Sequence, residues 1–114
     1  MQYAAPTHLS DDAARWWRLV NREYKLEWHH IRLLTLAAEA WDRGEQARVI
    51  LDRDGLTFLD RFEAPKVRPE VAVERDSRVA FARLLRELDL DLDGFTEPPR
   101  PPALKSNRGA RHAS

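Results

Sequence analysis

The sequence predicts a mainly α-helical protein, with a long helical hairpin, a short extended or hairpin segment, a C-terminal amphipathic helix and a disordered proline-rich tail. Apolar residues recur at steps of three and four along three segments, and a glycine turn followed by two prolines separates the second segment from the third. The last residues hold four prolines and few apolar anchors. We therefore expect a flexible N-terminus at residues 1 to 9, a helical domain at residues 10 to 93 and the tail at residues 94 to 114.

The first predicted helix runs from Ser10 to Tyr24. A serine side chain can accept a hydrogen bond from a free amide of the first turn, so Ser10 is a suitable N-cap. Asp11 and Asp12 place negative charge at the positive end of the helix dipole. The apolar residues at helical spacing are Ala13, Trp17, Val20 and Tyr24, with Trp16 and Leu19 beside them. This pattern predicts a helix with one apolar side.

The second predicted helix is longer and runs from Glu27 to Asp52. Its apolar stripe consists of Trp28, Ile31, Leu34, Ala38 and Trp41. Gly44 interrupts the pattern, and an internal glycine costs about 1 kcal/mol relative to alanine, so a bend or short break is expected near it. The short link between the two helices predicts either an antiparallel hairpin or a slight kink.

A change of pattern follows Asp54 and Gly55, which form a turn signal. Residues 56 to 59 predict a short strand or hairpin arm. Pro65 and Pro69 restrict the residues before them to extended backbone, so residues 66 to 68 are expected to form an ordered connector.

The last predicted helix begins between Pro69 and Glu74 and ends near Leu90. A helical projection separates its residues into two sides. Ser77, Phe81, Leu84, Leu85 and Leu88 fall on the apolar side, and Arg75, Arg78, Val79, Arg83 and Arg86 fall on the other. The sequence therefore predicts an amphipathic helix with a basic back.

Composition excludes several classes of protein. The 114 residues contain no cysteine, which excludes disulfides, thiolate zinc sites and cysteine nucleophiles. No signal peptide and no run of about 20 apolar residues is present, so we expect a cytoplasmic protein with no membrane partner. The net charge is zero, although residues 94 to 114 carry four bases against one acid. Any contact with nucleic acid must then come from local patches or from many copies acting together.

Motifs of catalysis are missing from the sequence. It contains no glycine-rich phosphate loop, no GxSxG and no HExxH. Glu27, His29, His30 and Asp42 are the best metal candidates, but solvated polar residues on a long helix are the simpler interpretation. We therefore expect a non-enzymatic protein without a cofactor or a metal.

Four tryptophans are many for so short a chain. They are Trp16, Trp17, Trp28 and Trp41. A small chain buries a limited share of its surface, and large aromatic rings are common at interfaces, so these residues predict a homo-oligomer interface. The alternative, that they simply form the core, stays open.

The order of these segments resembles a known family. The stretches ARWWRLVNREY, LLTLAAEAWDRGEQAR and RPEVAVERDSRVAFARLLRELDLD, within residues 10 to 92, are similar to phage terminase small subunits of siphophages and actinobacterial prophages. The resemblance implies a non-catalytic subunit that forms a ring in the bacterial host cell and recognises viral DNA. It also implies that this subunit presents the DNA to the large terminase subunit, which holds the packaging ATPase and nuclease.

Bases near the last helix are the predicted DNA contacts. They are Lys66, Arg68, Arg75, Arg78, Arg83 and Arg86. Guanidinium groups bind phosphate through paired N–H donors, whereas the alternative is a solvated helix back with acids three or four residues away. The tail bases Arg100, Lys105, Arg108 and Arg111 suit either a DNA tether or a docking peptide for the large subunit. A small prophage-encoded DNA-binding regulator or protein-interaction module is the alternative function.

Overall fold

The computed structural model describes residues 3–89, which form three helices and a two-stranded hairpin. Helix α1 spans Asp11–Glu23, α2 spans Trp28–Asp54 and α3 spans Pro69–Leu88. Strand β1 spans Thr57–Leu59 and β2 spans Pro65–Val67. The predicted mainly helical fold with a short hairpin segment is confirmed. The predicted proline-rich tail and its bases lie outside the described residues.

The N-cap of α1 also connects this helix to α2. The Ser10 hydroxyl oxygen accepts a hydrogen bond from the Ala13 amide at 3.1 Å, as the sequence predicts. The amide and hydroxyl of Ser10 both donate to the Asp42 carboxylate, and the amide does so at 2.8 Å. Capping and the α1–α2 contact therefore depend on the same residue.

Helix α2 continues without a break through Gly44, where the sequence predicts a bend. Gly44 is buried against α3, and a Cβ atom at this position would lie 3.5 Å from the Ser77 Cβ. The absence of a side chain at Gly44 allows α2 and α3 to approach closely. The glycine is therefore explained by helix packing and not by a kink. Helix α2 ends at Asp54, and its C-cap, Gly55, has a φ of 87°, a conformation that favours glycine.

Both neighbours of α2 run antiparallel to it. Ser10, the N-cap of α1, contacts Asp42, and Trp17 Nε1 donates to Thr35 Oγ1 at 3.1 Å. Later residues of α1 therefore lie beside earlier residues of α2, so the two helices run antiparallel. This confirms the antiparallel form of the predicted α1–α2 hairpin.

Helix α3 packs along α2 more extensively than α1 does. The ring centroids of Trp41 and Phe81 are 5.5 Å apart, and Arg78 Nη2 lies 4.0 Å from Glu45 Oε2. The longer helical hairpin is therefore the one formed by α2 and α3. The β-hairpin connects the end of α2 to the start of α3.

Two regions result from this arrangement. We call α1, α2 up to Asp42 and α3 from Phe81 the three-helix body, and residues 43 to 80 the two-helix arm. The core of the body contains Ala13, Ala14, Trp17, Val20, Ile31, Leu34, Ala38 and Leu88, and Leu9, which precedes α1, packs into it. In the arm only Gly44, Ala47 and Leu51 are buried. The body thus holds the main core, and the arm has a narrow seam.

The β-hairpin closes the tip of the arm. Thr57 pairs with Val67, Phe58 with Lys66 and Leu59 with Pro65. Part of the predicted connector is therefore a strand, and every residue of both strands is exposed. The Asp60 carboxylate accepts hydrogen bonds from the amides of Phe62 and Ala64, which fixes the turn.

Candidate nucleic-acid interface

The predicted DNA-contacting bases divide into two groups in the structure. Arg75, Arg83 and Arg86 are exposed on the side of α3 that points away from α2. Arg86 lies eleven residues after Arg75, or roughly 16 Å further along the helix. Val79, which is half exposed, lies between them. We call these four residues the α3 back.

The two ends of the α3 back differ in their ion pairs. Arg75 Nε donates to the neighbouring Asp76 carboxylate at 3.1 Å, and both side chains are mostly exposed. Such an exposed ion pair contributes little to stability because water and salt screen it. Within residues 3–89, Arg83 and Arg86 have no ion pair. Their guanidinium groups are therefore accessible to an anionic ligand.

Arg78 belongs to the seam between the helices rather than to the α3 back. Its Nη2 lies 3.0 Å from Glu74 Oε2 and 4.0 Å from Glu45 Oε2, so it connects α3 to α2. Arg48 continues this network through ion pairs with Glu45 at 3.2 Å and with Asp52. A phosphate would have to compete with these carboxylates for Arg78.

Lys66 and Arg68 lie at the hairpin, apart from the α3 back. Lys66 is exposed on β2 opposite Phe58, whereas Arg68 is half-buried at the N-cap of α3. The Arg68 guanidinium lies 5.7 Å from the centroid of the Phe58 ring, a cation–π geometry that joins the hairpin to the helix. Arg68 Nε is buried without a hydrogen-bond partner among the described residues. Lys66 is thus the more accessible of the two.

The four tryptophans do not form one surface. Trp17 is 1% exposed in the core and donates to Thr35, so its predicted interface role does not hold in this structure. Trp28 is 61% exposed, near Tyr3 and Arg32.

Trp16 and Trp41 have a third environment. Their rings lie on either side of Phe81, at centroid distances of 5.6 and 5.5 Å. Trp16 is half-buried and Trp41 is more exposed. These two rings and Trp28 remain available for contacts beyond the chain's own core.

Sequence reasoning missed an exposed apolar surface at the hairpin. Its members are Leu56, Leu59, Phe62 and Val67, and we call it the apolar tip. Phe62 is 75% exposed, although phenylalanine is usually an interior residue. The signal was present, since the segment between two turn signals is rich in apolar residues. Only the structure shows that no helix within residues 3–89 covers them.

Sequence reasoning also missed a second basic surface. Arg15, Arg18 and Arg22 recur at steps of three and four and are exposed on α1. Arg15 pairs with Asp12 at 3.0 Å, and Arg22 approaches Glu23 at 3.4 Å. The exposed basic surface of the body therefore extends beyond α3.

The metal candidates take part in local structure. The Glu27 amide donates to His30 Nδ1 at 3.2 Å at the start of α2, and Asp42 accepts both hydrogen bonds from Ser10. Over residues 3–89, no three side chains of His, Cys, Asp or Glu are grouped so that they could hold a metal ion. None of the helices in that range is long and apolar enough to cross a membrane.

Comparison of the chain with protein families, with curated proteins and with solved structures finds no match.

Proposed function

We propose that the protein is a non-catalytic DNA-recognition and assembly component of the terminase small subunit type. In this proposal the α3 back contacts viral DNA, copies of the chain associate into a ring, and the assembly presents the DNA to the large terminase subunit. Two observations support the proposal. One is the resemblance of residues 10 to 92 to phage terminase small subunits, and the other is the basic surface of the α3 back.

The observation that carries the proposal is the exposure of Arg75, Arg83 and Arg86 on one helix face. Each guanidinium offers a planar set of donors that matches two phosphate oxygens. Arg83 and Arg86 have no ion pair within residues 3–89, so a phosphate need not displace a carboxylate there. The α3 back is therefore well suited to contact a DNA backbone.

Assembly is the second part of the proposal, and the apolar tip supports it. A two-stranded hairpin is marginal in water unless a surface packs on it. Large exposed apolar patches mark interaction sites, and each of the four side chains of the apolar tip is more than 60% exposed. Because the net charge is zero, a single copy has little general attraction to DNA, and linked copies would multiply a weak contact.

The DNA contact is tested with the double variant Arg83→Ala/Arg86→Ala. Binding to double-stranded DNA is measured by gel shift at several salt concentrations. The slope of log affinity against log salt is negative, and each lost phosphate contact is expected to reduce its magnitude by about 0.9. The affinity at low salt should fall by at least tenfold.

The matched control is the double variant Arg48→Ala/Arg53→Ala. It removes the same formal charge, but both guanidinium groups already pair with carboxylates on α2. If the two double variants weaken binding equally, affinity follows net charge alone and the α3 back is not the contact.

The assembly is tested by light scattering on purified protein at tens of micromolar. Leu59→Ser/Phe62→Ser is expected to lower the oligomer mass, whereas Leu36→Ser/Val49→Ser, at exposed positions on α2, should preserve it. A strict monomer in the unmodified chain would contradict the ring. A dimer that prefers one palindromic DNA site would favour the regulator instead, because symmetry in protein and operator go together.

A further inference from the structure

A groove of about 490 Å³ opens between α1 and α3, above α2. Trp16, Trp41 and Phe81 line it with three tilted rings, and Ala13 and Leu19 extend its apolar surface. Its polar lining comes from Asp12 and Arg15 at the N-terminal end of α1. The groove is therefore an apolar slot with one charged end, and it is separate from the α3 back and the apolar tip.

We propose that this groove binds a polyproline II segment, and that the segment is Pro98–Pro102 of the same chain. Grooves lined by aromatic rings are a recurring site for proline-rich peptides. Proline rings stack on tryptophan, and a segment whose backbone is already restricted loses little entropy on binding. Pro98, Pro99, Pro101 and Pro102 form the only proline cluster in the sequence.

The length of the chain allows this contact. Phe81 lies eight residues before Asp89, or about 12 Å along the helix. Eight residues lie between Asp89 and Pro98, and the nine steps from one Cα to the next can span up to about 30 Å in extended form. The chain between Asp89 and Pro98 is therefore longer than the distance that the segment must cover to reach the groove.

The sizes of the two partners also agree. The seven-residue interval from Asp12 to Leu19 on α1 covers roughly 10 Å. Five residues of polyproline II cover about 15 Å. A segment of this length fills the groove and extends a few ångströms beyond it.

Charge distinguishes this occupant from a purely apolar one. Arg100 interrupts the four prolines, and the Asp12 carboxylate lies at the charged end of the groove. Asp12 pairs with Arg15 at 3.0 Å, but both side chains are more than 70% exposed. Such a pair contributes little stability, so Arg100 can take over the carboxylate at small cost.

The first test uses the four indole N–H signals of the ¹⁵N-labelled full chain. They are compared between the unmodified protein and a variant in which all four prolines, at 98, 99, 101 and 102, are alanine. The signals of Trp16 and Trp41 are expected to shift. Trp17, whose indole N–H is bonded to Thr35, and Trp28, which lies outside the groove, serve as internal controls. Unchanged Trp16 and Trp41 signals would overturn the proposal.

The second test reverses charge. Asp12→Arg is expected to reproduce the shifts of the proline variant, and adding Arg100→Asp should restore the original spectrum. Asp11→Arg is the matched control, because it changes the same helix turn but does not line the groove. Failure of the double variant to restore the spectrum would contradict the pairing of Asp12 with Arg100.

Concentration decides between the segment of the same chain and that of a second copy. Intramolecular binding is expected to leave the Trp16 and Trp41 signals unchanged on hundredfold dilution. If dilution produces the spectrum of the proline variant, the segment comes from another molecule and the intramolecular proposal is wrong.

Discussion

The three-helix body and the two-helix arm contain parts of the same two helices, yet different forces hold them together. In the body, α2 packs between α1 and α3 around large buried side chains such as Trp17, Leu34 and Leu88. In the arm, α1 is absent, and α2 meets α3 through Gly44, Ala47 and Leu51. Burial of apolar surface therefore dominates the body, and close backbone approach with ion pairs dominates the arm.

This difference indicates where the protein opens first. Ion pairs along the arm connect Glu45, Arg48, Asp52, Glu74 and Arg78, and all of them are partly exposed. Each such pair contributes about 0.2–1 kcal/mol and is screened by salt. We expect the arm to exchange its amide hydrogens faster than the body, because local opening costs less where few apolar side chains are buried.

Trp17→Ala is expected to have the largest effect, because it removes the largest fully buried side chain of the body. The loss in free energy of unfolding should be about 3–5 kcal/mol. Trp28→Ala removes the same atoms from an exposed position and should cost roughly 0.5 kcal/mol or less. Urea unfolding followed by circular dichroism measures both. Equal losses would mean that the body does not depend on its core in this way.

Gly44→Ala is expected to stabilise the arm. Alanine favours a helix over glycine by about 1 kcal/mol, and its Cβ would make an ordinary contact with Ser77 at 3.5 Å. Gly44→Leu should instead destabilise by about 1–3 kcal/mol, since the longer side chain would push α3 away. Thermal unfolding of the two variants measures these opposite signs. A destabilised alanine variant would show that the contact between α2 and α3 at Gly44 has no room for the added Cβ atom.

The smallest predicted effect is the loss of stability at low pH that follows from protonation of the Asp54 carboxylate. Arg53 donates to the Asp54 carboxylate at 3.0 and 2.8 Å and lowers the pKa of that group below its ordinary value of 3.8. The folded pKa lies below the unfolded one, so this carboxylate stabilises the arm above the unfolded pKa. Its contribution is lost as pH falls through the folded pKa.

A carboxyl titration followed by ¹³C NMR measures that pKa directly. Arg53→Gln is expected to raise the Asp54 midpoint toward the ordinary value. Arg22→Gln removes a base from α1, far from Asp54, and should leave the midpoint in place. If the Asp54 midpoint does not respond to Arg53→Gln, the ion pair of Arg53 with Asp54 does not contribute to the stability of the arm.

Local signals predicted the helices well, because caps and periodicity act within a few residues. Ser10 caps α1 as expected, and Pro69 begins α3. Gly44 was harder to interpret, since its cost is local whereas its benefit comes from Ser77, on another helix. A sequence shows that cost without showing the partner that offsets it.

Side-chain environments depended still more on distant partners. Trp16 and Trp17 are adjacent in sequence, but one lines a groove and the other fills the core, because successive helical residues point about 100° apart. Arg78 belongs to the predicted basic back by periodicity, yet Glu45 on α2 engages it. The groove itself requires three helices at once, which no single periodic segment reveals.

The antiparallel course of α2 and α3 makes the arm an adjustable spacer. Only its base is fixed by the body, and its tip carries the hairpin with its exposed apolar residues. Seven residues added to each helix at matching heights would preserve the facing sides and move the tip by about 10 Å. An insertion in one helix alone would break the contacts between the two helices. Glu45 would no longer face Arg78, and Gly44 would no longer face Ser77. The reach of the tip and the stability of the body can therefore change independently, provided that the two helices change together.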